Sequence, residues 1–163
     1  MLLNPFNNLS DHSKIWVYCF HETLTEFQLN EIRSKIETFT QNWTAHNNQL
    51  TAKGCLLLNH LIVLAVDEEK SSASGCSIDK SIHFLKTLML DYNIDLFNRN
   101  LMAIYTNNNV SFIELSTLKA MLANNQMDAG QLYFDNTIHT LGLLRTKWLK
   151  PLHESWFYSQ VSI

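Results

Sequence analysis

Residues 61–66, with the sequence LIVLAV, decide the fold. Six consecutive apolar residues of this kind indicate a β-strand buried on both faces, because a strand with one face in water alternates between apolar and polar residues. Residues 15–20, with the sequence IWVYCF, show the same pattern. The sequence therefore predicts two central strands in a sheet that is covered on both sides.

Two helical patterns accompany these strands. Thr25 begins the first helix, and Gln28 stands at the third helical position of a capping box. Apolar residues then recur at intervals of three and four as far as Trp43, which is the spacing of one buried helical face. The predicted order of elements is a strand at 15–20, a helix from Thr25, strands at 51–58 and 61–66, a helix carrying the stripe Ile78, Ile82, Leu85, Met89 and Tyr92, and a strand at 101–105.

The order β-α-β-β-α-β is that of the ferredoxin-like fold, whose first and third strands lie at the centre of the sheet. We therefore expect an α+β protein with a ferredoxin-like core and a C-terminal extension of short strands and helices. Residues 1–13, rich in Asn and Ser, are expected to be a flexible leader, and residues 14–163 a single α+β domain. The aromatic-rich C-terminal third or a second subunit is expected to cover the open face of the sheet, which leaves a monomer or a homodimer.

Composition narrows the function classes. The formal net charge is −3 and the basic residues are scattered, so we expect no binding to nucleic acid or to a membrane. Three cysteines without CxxC spacing, and a start without signal-peptide character, predict free thiols in the cytoplasm. The seven histidines show no zinc-binding spacing, and no cofactor or metal is expected.

Residues 67–79, with the sequence DEEKSSASGCSID, form the candidate site. They lead from an apolar strand into a helix, so free backbone N–H groups at the helix start can bind an anion or stabilise a thiolate. The same residues can simply cap the helix through Ser74 or Ser77, and the sequence leaves these alternatives open. The chain has no Walker A pattern, which excludes nucleotide hydrolysis by the P-loop mechanism. The candidate anion-binding residues are Ser74, Gly75, Ser77, Asp67 and Asp79.

Cys76 is the candidate nucleophile. The expected fold brings His46 to the same end of the sheet, where it can act as the base, and the N–H groups of residues 75–77 can form an oxyanion hole. Asp67 and Glu68 oppose this role, because nearby carboxylates disfavour a thiolate. The alternative is a small residue packed beneath the first turn of the helix, and we expect this packed position for Cys76.

The chain also resembles a family of small uncharacterised bacterial proteins. The residues that carry the resemblance are Trp16-Val17-Tyr18, Trp43, His46, Val66-Asp67-Glu68, the block Ala73-Ser74-Gly75-Cys76-Ser77-Ile78-Asp79, Asp95, Phe97, Arg99, Phe134-Asp135-Asn136, Trp148, Pro151 and Ser155-Trp156. Members are sometimes labelled ABC-transporter ATPases, and the missing Walker A and signature motifs give that label no support here. The resemblance implies candidate positions and no reaction.

Two functions follow as expectations. The first is a non-enzymatic cytoplasmic domain that binds a small anionic ligand or a protein partner. The alternative is a cysteine-dependent enzyme that uses Cys76 as nucleophile and His46 as base.

Overall fold

The structure, a computed structural model, describes residues 4–69 and 73–161. It contains 38% helix and 28% strand, so the fold is α+β as expected. The strands are β1 (Lys14–Cys19), β2 (Thr44–Ala45), β3 (Asn48–Gln49), β4 (Thr51–Leu57), β5 (Leu61–Asp67), β6 (Leu101–Thr106), β7 (Asn109–Glu114), β8 (Leu132–Phe134) and β9 (Leu149–Pro151). The helices are α1 (Glu26–Gln41), α2 (Gly75–Tyr92), α3 (Leu115–Ala123) and α4 (Leu141–Lys147).

Strand β5 lies between β1 and β4 in an antiparallel sheet of three strands, which we call the first sheet. Every β5 residue at positions 61–66 is buried. In β1, Trp16 and Tyr18 pack in the hydrophobic cluster that contains α1 and α2, whereas Ile15 and Cys19 pack in a cluster with the C-terminal third of the chain. Both apolar strands are therefore covered on both sides, and this prediction is confirmed. The prediction that both are central is wrong for β1, which lies at the edge of the sheet beside β5.

The expected ferredoxin-like strand order is not found. The order β1-β5-β4 agrees with three strands of that fold, but β6, the expected fourth strand, does not pair with β1. It belongs to a second sheet with the order β7-β6-β8-β9. Strand β6 is joined to β7 by a tight turn in which Asn107 and Asn108 have positive φ, and its other edge pairs with β8. Because both of its edges are taken, β6 has no hydrogen-bonding edge to offer β1.

The C-terminal third of the chain covers the second face of the first sheet. This was one of the two alternatives predicted from the sequence, the other being a second subunit. Phe134, Leu141, Leu144 and Trp148 are buried in the same cluster as Ile15 of β1. This cover consists of one helix and two short strands rather than a single lid.

The expectation of a flexible leader is wrong for residues 4–13. Phe6 is 0% and Leu9 is 6% exposed, and both belong to the cluster beneath the C-terminal third. The Arg145 guanidinium donates hydrogen bonds to the carbonyls of Phe6 (2.9 Å) and Leu9 (3.2 Å). Two large apolar residues therefore hold this Asn- and Ser-rich stretch on the protein. Residues 1–3 lie outside the described residues.

The two long helices share one side of the first sheet. Helix α1 has the predicted capping box, since the Gln28 N–H donates to the Thr25 hydroxyl and the Thr25 N–H donates to the Gln28 side chain. The inward stripe of helix α2 shares Leu85 and Tyr92 with the predicted one and differs at its other positions. Its buried residues are Ser77, Ser81, Leu85, Leu88 and Tyr92. The two serine hydroxyls donate to carbonyls of their own helix, which allows them to face the core.

Candidate functional site

The start of α2 lies in the candidate site that was predicted from the sequence. Ser74 is the N-cap, and its hydroxyl accepts from the Ser77 N–H at 3.4 Å. The Ser77 hydroxyl donates to the Ser74 carbonyl at 2.8 Å, and the buried Trp43 indole N–H donates to the Ser77 carbonyl at 2.8 Å. Ser77 is thus the packed residue of the first turn, whereas Gly75 and Cys76 are exposed. The expectation that Cys76 is packed is wrong, because the inward stripe of α2 passes through its neighbour.

His46 lies at the tip of the β2–β3 hairpin, where it is exposed and has a φ of 48°. The hairpin is attached to α2 by the Lys80 ammonium, which donates to the Thr44 hydroxyl at 2.8 Å and to the Thr44 carbonyl at 3.2 Å. Within residues 4–69 and 73–161, no hydrogen bond joins His46 to Cys76. The two predicted catalytic residues therefore lie on neighbouring elements but do not form a hydrogen-bonded pair.

The two acidic candidates lie on different elements. Asp67, at the end of β5, is half-buried and accepts a hydrogen bond from the Glu69 N–H at 3.1 Å. Asp79 is exposed on α2. The Glu68 side chain accepts from the Ala73 N–H at 2.9 Å, which holds the chain on the approach to α2. Among the described residues, no group of three or more His, Cys, Asp or Glu side chains could hold a metal ion.

A wide, open groove separates α1 from α2 on the outer surface and encloses about 880 Å³. Phe39 of α1 and Phe84 of α2 stack across it with ring centroids 4.3 Å apart. Cys76 and Asp79 line one end, and Lys35 lines the other, where its ammonium is 2.6 Å from an Asp91 oxygen. The groove brings the exposed thiol beside an aromatic surface, although it offers a ligand little enclosure.

A second, more enclosed cavity of about 560 Å³ lies along the free edge of β1, and we call it the edge cleft. It is bounded by all of β1, by residues 96–102 and by residues 133–139. Trp16, Tyr18, Phe97 and the half-exposed Trp156 supply aromatic walls. Its volume falls in the range of roughly 300–1,000 Å³ that is typical of ligand sites.

The backbone of β1 is only partly paired on the side of the edge cleft. The Ile15 N–H donates to the His139 carbonyl at 3.1 Å, and the Leu141 N–H donates to the Ser13 carbonyl at 2.9 Å. Because hydrogen-bonding groups alternate between the two edges of a strand, the N–H and C=O of Val17 point to this same side. Neither group has a hydrogen-bond partner within the part of the chain that the structure describes. A segment of sheet edge therefore opens into the cavity.

Two cations line the edge cleft at opposite ends of β1. The Lys14 ammonium lies 5.4 Å from the centre of the Trp16 ring. Burial raises the pKa of the Tyr18 phenol, and the charge of the nearby exposed Arg99 opposes that rise. Neither Lys14 nor Arg99 forms an ion pair with a described carboxylate. The cleft therefore carries positive charge that is available to bind an anion.

The carboxylates around the cleft are already engaged. Asp135 is 5% exposed and one of its oxygens lies 2.7 Å from the Lys150 ammonium. Burial by itself raises the pKa of the Asp135 carboxyl, but hydrogen bonds from Lys150 and Thr137 outweigh burial and hold that pKa below its usual value. Glu22 and Asp95, near the other end of β1, each accept a backbone N–H. None of these carboxylates forms an ion pair with Lys14 or Arg99, although Glu22 and Asp95 lie close enough to contribute to the raised pKa of the Cys19 thiol.

Sequence reasoning did not find the edge cleft. The predicted ferredoxin-like order has a fourth strand beside the first, at the position of the cleft. No local pattern marks Lys14 or Arg99, because these residues come together only through the fold.

Comparisons of the chain with protein-family models, with curated proteins and with solved structures give no match. The resemblance to a family of small bacterial proteins therefore stays a prediction. In the described part of the chain, no helix combines the length and the apolar character needed to cross a membrane.

Proposed function

We propose that the protein is a non-enzymatic binding domain and that the edge cleft is its site for an anionic ligand. The observation that carries this proposal is the pair of cations, Lys14 and Arg99, lining one enclosed cavity without carboxylate partners. Aromatic walls favour a ligand that also has an apolar or planar part. The charged part of such a ligand gains a charge-assisted hydrogen bond to Arg99.

The start of α2 supports an anion site less well, although it remains the site expected from the sequence. Ser74 and Ser77 use their hydroxyl groups on each other and on the helix, so these groups are already occupied. The remaining candidates, Gly75, Asp67 and Asp79, bring one exposed glycine and two negative charges. Negative charge at this position opposes the binding of an anion.

The same proposal includes a ferredoxin-like arrangement of the three strands in the first sheet. In that fold a fourth strand lies beside the first, on the side where β1 here faces the edge cleft. The binding site would then occupy the position of the missing neighbour. A cytoplasmic location also belongs to the proposal, since Cys19, Cys55 and Cys76 are all free thiols.

Isothermal titration with benzoate tests this function, because benzoate joins a carboxylate to a planar ring. Benzyl alcohol is the uncharged control ligand. We expect Arg99→Gln to weaken benzoate binding about tenfold, the value of one charge-assisted hydrogen bond. Lys53→Gln is the matched control, because Lys53 is exposed on β4 and lines neither cavity. Equal binding by both variants, or no binding of benzoate to the wild type, would refute the proposal.

A cysteine-dependent enzyme is the second candidate, and the exposure of Cys76 at the start of α2 is the observation that favours it. Alkylation by iodoacetamide across a pH series tests it. Cys19 and Cys55 serve as internal controls, because burial raises the pKa of their thiols to about 11 and about 12. The enzyme hypothesis expects Cys76 to react well below pH 8 and to lose this reactivity in His46→Ala. The enzyme hypothesis is contradicted if the alkylation of Cys76 has the pH dependence of an ordinary thiol and is unchanged in His46→Ala.

A further inference from the structure

We infer that the ligand of the edge cleft is an extended acidic segment of a partner protein, which pairs with β1 as an added strand. This inference rests on the proposed function and names the class of ligand that the site takes. It depends on the unpaired backbone of β1, on the length of that open edge and on the charges at its two ends.

The cleft side of β1 presents unpaired backbone groups of both kinds. On the cleft side, the Ile15 C=O, both polar groups of Val17 and the Cys19 N–H have no partner among the described residues. They alternate between acceptors and donors along one line, at the spacing of a strand. A small anion can accept from an N–H but cannot also donate to the carbonyls between them. An extended peptide supplies both kinds of group in the same alternation.

The dimensions fit a short segment. From Ile15 to Cys19 the open edge spans four residue steps, which is about 13 Å at a rise of about 3.3 Å per residue. A segment of about five residues covers that length. Trp16 and Tyr18 lie on one face of β1, where they would contact alternate side chains of an added strand. An apolar side chain at the middle position of the segment suits these aromatic neighbours.

The charges select an acidic segment. Lys14 lies at the first residue of β1, and Arg99 lies beside Tyr18 near its end. Both cations lie on the face of β1 that carries Trp16 and Tyr18. Carboxylates at both ends of a five-residue segment share one face of an extended strand, so each would contact one cation.

The experiment uses the whole chain and two synthetic peptides, acetyl-Glu-Thr-Val-Thr-Glu-amide and its counterpart with Lys in place of both Glu. Nuclear magnetic resonance follows the backbone amides of β1 during titration, together with their hydrogen exchange. We expect the Glu peptide to bind at least tenfold more tightly than the Lys peptide and to slow the exchange of the Val17 amide at least tenfold. Lys14→Gln and Arg99→Gln should each weaken binding of the Glu peptide, and Lys53→Gln should not.

Backbone methylation of the Glu peptide separates strand pairing from side-chain contact. One peptide carries N-methyl groups on both Thr residues, and the other carries one on Val, so that each blocks a different edge of the added strand. Strand pairing requires that one of them loses binding while the other keeps it. Equal binding of the two methylated peptides, equal binding of the Glu and Lys peptides, or unchanged exchange at Val17 would overturn the inference.

Two further outcomes identify other occupants. If benzoate binds and the Glu peptide does not, the proposed function stands and the strand inference fails. If sedimentation shows a dimer of the protein alone, with the Val17 amide protected in that dimer, a second copy occupies the edge and the inference fails again.

Discussion

Replacing Gly54 with alanine tests how closely α1 packs on the first sheet. A Cβ atom at this position would lie 2.6 Å from the Ile36 Cγ2 atom, 2.9 Å from a Leu64 methyl and 3.0 Å from the Thr40 methyl. Carbon atoms normally pack at about 3.5–4.0 Å, so these neighbours would have to move by roughly 1 Å. Ile36 and Leu64 are both 0% exposed and have no free space to enter.

The expected loss of stability follows from two opposing terms. Overpacking a filled core lowers the free energy of unfolding by about 1–3 kcal/mol. The lower entropy of the unfolded alanine variant raises it by about 0.4–1 kcal/mol. We therefore expect Gly54→Ala to lower the free energy of unfolding by about 1–2 kcal/mol, which lowers Tm by roughly 2–8 °C in a chain of this size. Urea denaturation followed by tryptophan fluorescence measures the change.

Two further variants make the test specific. Gly75→Ala is the matched control, because a Cβ there meets nothing within 4 Å, and it should raise stability by about 0.4–1 kcal/mol. Ile36→Ala removes the closest methyl, so Gly54→Ala should cost less in that background. If Gly54→Ala is as stable as the wild type, or if its effect is additive with that of Ile36→Ala, the described packing of α1 on β4 is wrong.

Three other substitutions test separate parts of the structure. Asp135→Asn should lower the free energy of unfolding by about 1–3 kcal/mol at pH 7, because it leaves Lys150 without its carboxylate. Since the folded pKa of Asp135 is depressed, its contribution is present above the unfolded value of about 3.9 and is lost as the pH falls further. The deficit of the variant, measured by urea denaturation, should therefore shrink below about pH 4, and a deficit independent of pH would contradict the described ion pair. Tyr133→Phe should leave the stability unchanged or raise it, because the buried Tyr133 hydroxyl has no hydrogen-bond partner among the described residues. A loss above about 1 kcal/mol in thermal unfolding would mean that the hydroxyl is bonded. Thr25→Ala removes half of the capping box with Gln28 and should cost about 0.5–2 kcal/mol, visible as a lower urea midpoint. A midpoint equal to that of the wild type would show that this cap does not hold α1.

The features that sequence predicted correctly are local or periodic. Burial on both faces follows from the unbroken apolar runs at 15–20 and 61–66, whatever the connections between the strands. The Thr25–Gln28 capping box involves residues three positions apart, so its geometry follows from the helix itself. Cys76 was misplaced because the expectation rested on the frequent burial of free cysteines, whereas Ser77 is the residue of the first turn that faces the core. Ser77 takes the inward position since its hydroxyl is satisfied within the helix.

The features that sequence missed depend on pairing between distant elements. Nothing in residues 101–106 shows that β6 pairs with β7 and β8 instead of β1, because the pattern of a half-buried strand is the same for any partner. The edge cleft exists only as a consequence of that pairing. Its charges, Lys14 and Arg99, are 85 positions apart in the chain and come together through the fold.

The location of a bound anion is the most direct test of the proposed binding site. Nuclear magnetic resonance of the isotope-labelled protein during titration with benzoate reports that location residue by residue. We predict that the largest shifts fall on the Trp16 indole, on Tyr18 and on the amides next to Arg99. Shifts centred instead on Gly75 and Cys76, with β1 unchanged, would contradict the assignment of the edge cleft as the binding site.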